Sequence, residues 1–164
     1  MKIYTANYNS PLGAITIVCS DNGLIGLYFI NQNGYPKHLY GQEYASTPII
    51  EQTKKWLDIY FSGREPNFTI PLEFSGTNFQ KEVWQILLTI PYGKTITYGE
   101  VAKILANKKG LKKMSAQAVG GAVSKNKISI IIPCHRVIGS NGSLTGYAGG
   151  LDKKKKLLEF EKII

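Results

Sequence analysis

The sequence is short of the residues that staple, span or ligate. Its 164 residues include two cysteines, Cys19 and Cys134, and two histidines, His38 and His135. Two thiols make one bridge at most, so the chain is no disulfide framework. With only two histidines, a four-ligand structural zinc site is not expected. No apolar run reaches the roughly 18 residues that a membrane-crossing helix needs. Met1-Lys2-Ile3-Tyr4 lacks the hydrophobic segment of a secretory signal. These absences predict a reducing, cytoplasmic setting, and the length allows one domain or two small ones.

Acidic residues are scarce as well, 11 against 20 basic ones, for a net charge of +9. The imbalance is confined to one half. Residues 1–76 hold five basic and six acidic side chains, whereas residues 77–164 hold fifteen and five. A near-neutral half joined to a strongly basic one points to a polyanion as partner of the second. A lysine-rich surface that serves only solubility is the competing explanation.

Residues 1–76 contain no Gly-rich phosphate cradle, no carboxylate pair and no metal spacing. What is there reads as a sheet with one helix. Lys2 to Asn7 alternates, and Ser10-Pro11-Leu12-Gly13 turns the chain. Ala14 to Cys19 and Leu24 to Ile30 are β-rich runs joined through Asp21-Asn22-Gly23, a hairpin signal. Cys19 reads as a small core residue, and Asn31 to Ser46 as a loop with His38 in solvent. Thr47-Pro48 opens a helix in which Ile49, Thr53, Trp56, Leu57 and Tyr60 recur at helical spacing, up to Gly63. Arg64 to Phe74 reads as a linker with a short strand.

The second half carries more punctuation. Thr77 with Gln80, and Thr97 with Glu100, are capping-box patterns. The first opens a helix with an apolar stripe of Phe79, Val83, Ile86, Leu87 and Ile90, joined by Trp84. The second opens a helix with Val101, Ile104 and Leu105 facing in. A lysine-rich turn then leads to a helix over 115–124, so the pair resembles a helix-turn-helix with a long turn. Gly120 and Gly121 inside that helix each cost about 1 kcal/mol relative to alanine. They mark either tight packing on a neighbour or a smooth face able to enter a minor groove about 6 Å wide.

The apolar run Ile130-Ile131-Ile132 predicts a buried strand that Pro133 terminates. At its mouth stand a thiol, an imidazole and a guanidinium: Cys134, His135 and Arg136. A buried structural cysteine is one reading. The adjacent cations favour a reactive one, because both stabilise a thiolate. The last helix, over 152–164, places Leu151, Leu157, Leu158, Phe160 and Ile164 inward. Glu161 falls within that stripe, with Lys154 about 20° away at about 100° per residue. An inward carboxylate needs a partner, and His135 and Arg136 are the candidates. Thiol, imidazole and carboxylate supply a nucleophile, a base and an orienter. A hydrolase acting by acyl transfer fits these residue types equally well.

Pro133-Cys134-His135-Arg136-Val137 resembles the active-site motif of the methylated-DNA–protein-cysteine methyltransferases, which repair 6-O-alkylguanine. The resemblance spans residues 77–164 and includes Tyr98, Ala118-Val119-Gly120-Gly121-Ala122, Asn126, Gly146-Tyr147-Ala148-Gly149-Gly150-Leu151, Lys154 and Glu161. It implies an α+β chain. Residues 1–76 would form a ribonuclease H-like sheet-plus-helix domain, and residues 77–164 a mostly helical, winged-helix-like DNA-binding domain. The implied partner is double-stranded DNA containing alkylated guanine, with no cofactor, no obligate protein partner and a monomeric chain.

The resemblance also distributes roles. Gln117, Ala118, Gly120, Gly121 and Ala122 would meet the minor groove while the damaged base is flipped out. Cys134 would take the alkyl carbon. His135, acting through a water and oriented by Glu161, would take the thiol proton. Tyr98 would donate to the departing guanine. The carbonyls of Cys134 and Val137 would read its exocyclic amine, and Tyr147 and the Ala148 amide would frame its oxygen. Asn126 would brace the turn before the reactive segment, and Lys154 would contact Tyr147 or the loop. A thioether offers water no activated carbonyl, so each molecule would act once. Many relatives carry an arginine where this chain has Gln117, and the zinc ligands of some relatives are absent. A lesion-binding relative without the reactive cysteine is the rival within the family, and Cys134 argues against it.

Overall fold

The computed structural model describes residues 2–30, 32–39 and 46–164. Backbone contacts divide the chain into two compact units, one running to Phe74 and the other from Ser75 to Ile164.

The first unit is a three-stranded antiparallel sheet, β1 (Tyr4–Ser10), β2 (Gly13–Cys19) and β3 (Leu24–Phe29), with helix α1 (Pro48–Phe61) against it. Ser10 pairs with Gly13, so Pro11-Leu12 is a two-residue turn. Cys19 pairs with Leu24 across a register shift at Val18/Cys19. Ile15, Ile17, Leu27 and Phe29 are buried, as are Ile50, Thr53, Leu57 and Tyr60 of α1. The inner stripe of α1 therefore begins at Ile50; Ile49 and Trp56 are half-buried. Thr47 caps the helix by accepting the Ile50 amide. Cys19 is in the core, and His38 lies exposed in a 3-10 turn over Lys37–Leu39. Residues 31 and 40–45 of the expected loop lie outside the described residues. The segment after α1 covers an edge of the sheet: Leu24 donates to the Pro71 carbonyl, and Glu73 donates back to Leu24. Covering an edge removes a template for unwanted pairing.

The second unit holds α2 (Asn78–Leu87), α3 (Tyr98–Lys109), α4 (Ala116–Ser124) and α5 (Leu151–Phe160). Two short parallel strands, β4 (Ile96–Thr97) and β5 (Val137–Ile138), join the entry of α3 to the reactive segment. Both capping boxes form, Thr77 with Gln80 and Thr97 with Glu100. Gly110, at φ 67°, ends α3 in the left-handed conformation that glycine adopts without penalty. Helices α2, α3 and α4 pack on one another around Val83, Ile86, Leu87, Val101, Leu105, Val119 and Val123. Trp84 ties two of them by donating its indole N–H to the Ala122 carbonyl at 3.0 Å.

Two expectations are corrected. Ile130-Ile131-Ile132 is a turn, not a strand. Its β-branched side chains do seek burial, and Ile128, Ile130 and Ile132 are all in the core. Strand preference, however, reflects packing on a pleated surface rather than a demand for a ladder. Ile130 instead sits at φ 71°, a conformation that costs a β-branched residue on the order of 1–3 kcal/mol. The last helix is also shorter than expected. Leu151 and Ile164 are exposed, and the buried face is Lys154, Leu157, Leu158 and Glu161.

Replacing Trp84 with phenylalanine keeps a ring but leaves the buried Ala122 carbonyl without its donor. The expected loss is about 1–3 kcal/mol in urea unfolding; an unchanged midpoint would show that this bond contributes nothing to the helix packing.

Candidate active site

The site is built where a 3-10 turn, Cys134–Arg136, leaves the core under α5. Cys134 is 6% exposed. Its amide donates to the Ile132 carbonyl at 2.7 Å, and its carbonyl accepts the Val137 amide. The tight turn places His135 and Arg136 inward together, and Glu161 at the end of α5 meets both. His135 Nε2 lies 2.5 Å from Glu161 Oε2, and Arg136 Nε donates to Glu161 Oε1 at 2.7 Å. The Gly93 amide adds a third bond, to Oε1 at 3.1 Å. A buried carboxylate with three donors is satisfied rather than stranded.

Asn126 is the link to α4. Its side-chain carbonyl accepts the Ile128 amide, while Nδ2 donates to Ile132 O at 2.9 Å and lies 3.1 Å from Cys134 Sγ. Lys154 is fully buried and spends its three N–H donors on the Val137, Thr145 and Gly146 carbonyls, at 2.6, 2.8 and 3.4 Å. It thus contacts the loop before α5. Tyr98, the first residue of α3, donates from its phenol to the Thr145 carbonyl at 3.3 Å, so the same loop residue is held from two sides. Tyr147 and Ala148 are half-buried in that loop. The Cys134 carbonyl accepts from the Val137 amide and the Val137 carbonyl from Lys154 Nζ, and a carbonyl oxygen has two lone pairs.

Burial pushes the Cys134 thiol above its ordinary pKa, although the Asn126 bond and the Lys154 charge pull the other way. The resting group is a neutral thiol that needs an acceptor for its proton. Burial lowers His135, against the pull of Glu161, so the ring is neutral at pH 7. Glu161 is also opposed by burial, but the hydrogen bonds of His135 and Arg136 and the Arg136 charge outweigh it and hold the carboxyl at about 2. A neutral ring beside a carboxylate keeps its proton on Nε2, which leaves Nδ1 as the atom that can accept the thiol proton. Burial lowers Lys154 to about 8, so its ammonium persists at neutral pH. Burial pushes the Tyr147 phenol well above its ordinary range.

Helix α4 presents its small residues outward. Gln117, Ala118 and Gly121 are exposed and Gly120 is half-buried. A Cβ on Gly121 would meet nothing within 4 Å, and one on Gly120 would make ordinary contact with the Tyr98 ring at 3.7 Å. Tight internal packing therefore does not explain the glycines. Ala122 departs from its neighbours: it is buried, with its carbonyl under Trp84, and faces the core rather than an outside partner. Sequence reading left Arg136 and the Tyr92-Gly93 turn out of the site. Arg136 was visible as a partner for Glu161, but the turn is 68 residues from that carboxylate, and only tertiary folding joins them. Among the described residues, no three His, Cys, Asp or Glu side chains are grouped to hold a metal.

Fold and site define a two-unit α+β protein in which a buried cysteine adjoins a buried His–Glu–Arg cluster and follows a helix with small outward residues. Residues 78–163 match the family model described as 6-O-methylguanine DNA methyltransferase, DNA binding domain, and residues 3–74 match its ribonuclease-like domain. Methylated-DNA–protein-cysteine methyltransferase of Methanosarcina acetivorans is 42% identical over 160 residues, covering 97% of this chain and 98% of the relative. That of Mycobacterium leprae is also 42% identical, covering 98% and 93%. The crystal structure of Mycobacterium tuberculosis OGT in complex with DNA aligns at TM-score 0.80 and 38% identity over 97% of this chain and 92% of that one. The chain belongs to the methylated-DNA–protein-cysteine methyltransferase family.

The Glu161 carboxyl is depressed in the folded protein, so its stabilisation is complete above the ordinary carboxylate range and is lost as pH falls from about 4.5 toward about 2. Glu161→Gln removes that component. Urea unfolding across this window should show a pH slope shallower by up to one proton, roughly 1.4 kcal/mol per pH unit; identical slopes would mean that the carboxyl is not held down.

Proposed function

We propose that this chain repairs DNA by moving the alkyl group of 6-O-alkylguanine irreversibly onto its own Cys134. The reading is supported above all by Asn126, which stands at the end of α4 and reaches Cys134 Sγ at 3.1 Å, so that helix and thiol form one unit. Family membership supplies the substrate class, and the basic second half suits a DNA backbone.

Gln117, Ala118, Gly120 and Gly121 form the face that lies along the minor groove, with the damaged base turned out of the stack toward Cys134. His135 Nδ1 takes the thiol proton through a bridging water, and Glu161 balances the imidazolium that results. The sulfur then forms its bond to the alkyl carbon as the carbon–oxygen bond breaks, and the electron pair leaves on the guanine oxygen. Tyr98 donates to the departing ring. The second lone pairs of the Cys134 and Val137 carbonyls read the exocyclic amine, and Tyr147 and the Ala148 amide frame the oxygen. Lys154 favours the thiolate and pins the loop. Charges and dipoles fixed in place before the reaction stabilise the transition state without having to reorganise, and in many enzymes they supply most of the acceleration. No cofactor takes part. The protein acts as a cytoplasmic monomer, and a thioether, with no activated carbonyl, ends its working life.

Intact mass after mixing with a duplex containing 6-O-methylguanine should show one added methylene on the Cys134 peptide and one lesion cleared per molecule. Multiple turnover, or clearance by Cys134→Ser, would overturn the proposal. Gly121→Ala should raise stability by up to about 1 kcal/mol while weakening duplex binding. Tighter binding would remove α4 from the groove. Glutamine brings no charge to a flipped-base gap, so Gln117→Arg should repair duplex DNA faster than the parent. A slower arginine variant would show that Gln117 does not face that gap.

A further inference from the structure

Arg136 is a buried charge that the transfer scheme leaves without a task. It is 8% exposed. Besides its bond to Glu161 Oε1, its guanidinium donates to the Ile90 carbonyl at 2.8 Å and lies over the Tyr92 ring, 5.7 Å from the centroid. The Tyr92 phenol in turn donates to the Phe160 carbonyl, at the end of the helix that carries Glu161. Arginine's planar fork is suited to such a divided hold. The carboxylate it grips is divided as well: Oε1 belongs to Arg136 and Gly93, Oε2 to His135.

We propose that Arg136 is a positioning residue for the transfer: it holds Glu161 ionised and in place, so that His135 stays neutral with Nδ1 unprotonated and able to accept a proton. The inference rests on the reading of Cys134 as acceptor. Without the guanidinium, Glu161 has two ways to recover from burial, and both disable the base. A protonated Glu161 donates to Nε2 and forces the ring proton onto Nδ1. An ionised Glu161 draws a proton onto the ring, which then has no site for the thiol proton. The charged and titratable groups around His135 are Glu161 and Lys154 from α5, and Cys134 and Arg136 from its own turn. The Arg136 and Lys154 cations oppose a proton on the ring, and Glu161 favours one.

The test is the rate of Cys134 methylation by a methylated duplex as a function of pH. Arg136→Met should move the acid limb of the profile upward by about one pH unit or more, the usual effect of removing a like charge beside the imidazolium. Arg136→Lys, which keeps the charge, should reverse most of the shift. A purely structural role would lower the rate at every pH and leave the limb in place, and that result overturns the proposal, as does a lysine variant shifted as far as methionine. Should the variants not fold, nitrogen-15 shifts of His135 in the parent decide the matter. The ring should stay neutral, with its proton on Nε2, below the ordinary histidine range; an ordinary midpoint of about 6.5, or a proton on Nδ1, overturns it. The shifts are read without DNA, so they fail independently of the repair reaction.

Discussion

The second unit depends on a carboxylate that has almost no water to see. Glu161 is 3% exposed, and burial of an unpaired charge is costly enough that a protein protonates the group or supplies partners. This fold supplies partners from separate stretches of chain: the Gly93 amide after α2, and His135 and Arg136 from the reactive turn. Removing one partner of such a group commonly costs about 3–5 kcal/mol, because the other charge is left behind. The reactive turn, the Tyr92-Gly93 turn and the end of α5 therefore have to arrive together. Stability and chemistry share the same atoms here.

Lys154 is the counterpart, two turns earlier on the same inner face. Its ammonium gathers three carbonyls, from Val137 and from Thr145 and Gly146, and so fastens the loop to β5. The two charges divide the electrostatic work. A cation near the sulfur favours thiolate, and an anion beside the imidazole favours imidazolium. Proton transfer from Cys134 to His135 creates both at once. In the proposed transfer each buried charge is thus complementary to one half of the ion pair formed.

Features that live within one turn of chain were legible in the sequence. Both capping boxes, the Asn22-Gly23 hairpin and the Thr47-Pro48 helix start are local chemistry, and each formed as read. The inward Glu161 was legible too, because helical angle alone placed it among leucines. What failed was the strand expected at Ile130-Ile132. The composition asks for burial, and a turn pinned by Asn126 satisfies that as fully as a strand would. The partners of Arg136 were out of reach for another reason. The Ile90 carbonyl lies 46 residues away and carries no side-chain signal. Leu151 and Ile164 misled because the apolar pattern continues past the point where the helix has a neighbour.

Helix α4 shows why fold and function cannot be separated along a single element. Its inner side is ordinary core, with Val119, Ala122 and Val123 buried and the Ala122 carbonyl held by Trp84. Its outer side carries two glycines that weaken the helix and that no internal contact requires. A helix that only had to pack would lose nothing by carrying alanine there. The weakness is tolerable because Ser115 caps one end and α2 and α3 hold the inner face. Asn126 follows the other end directly, with the sulfur within reach of its amide. In the proposed reaction, a surface left bare for the DNA is in this way joined to the sulfur that reacts.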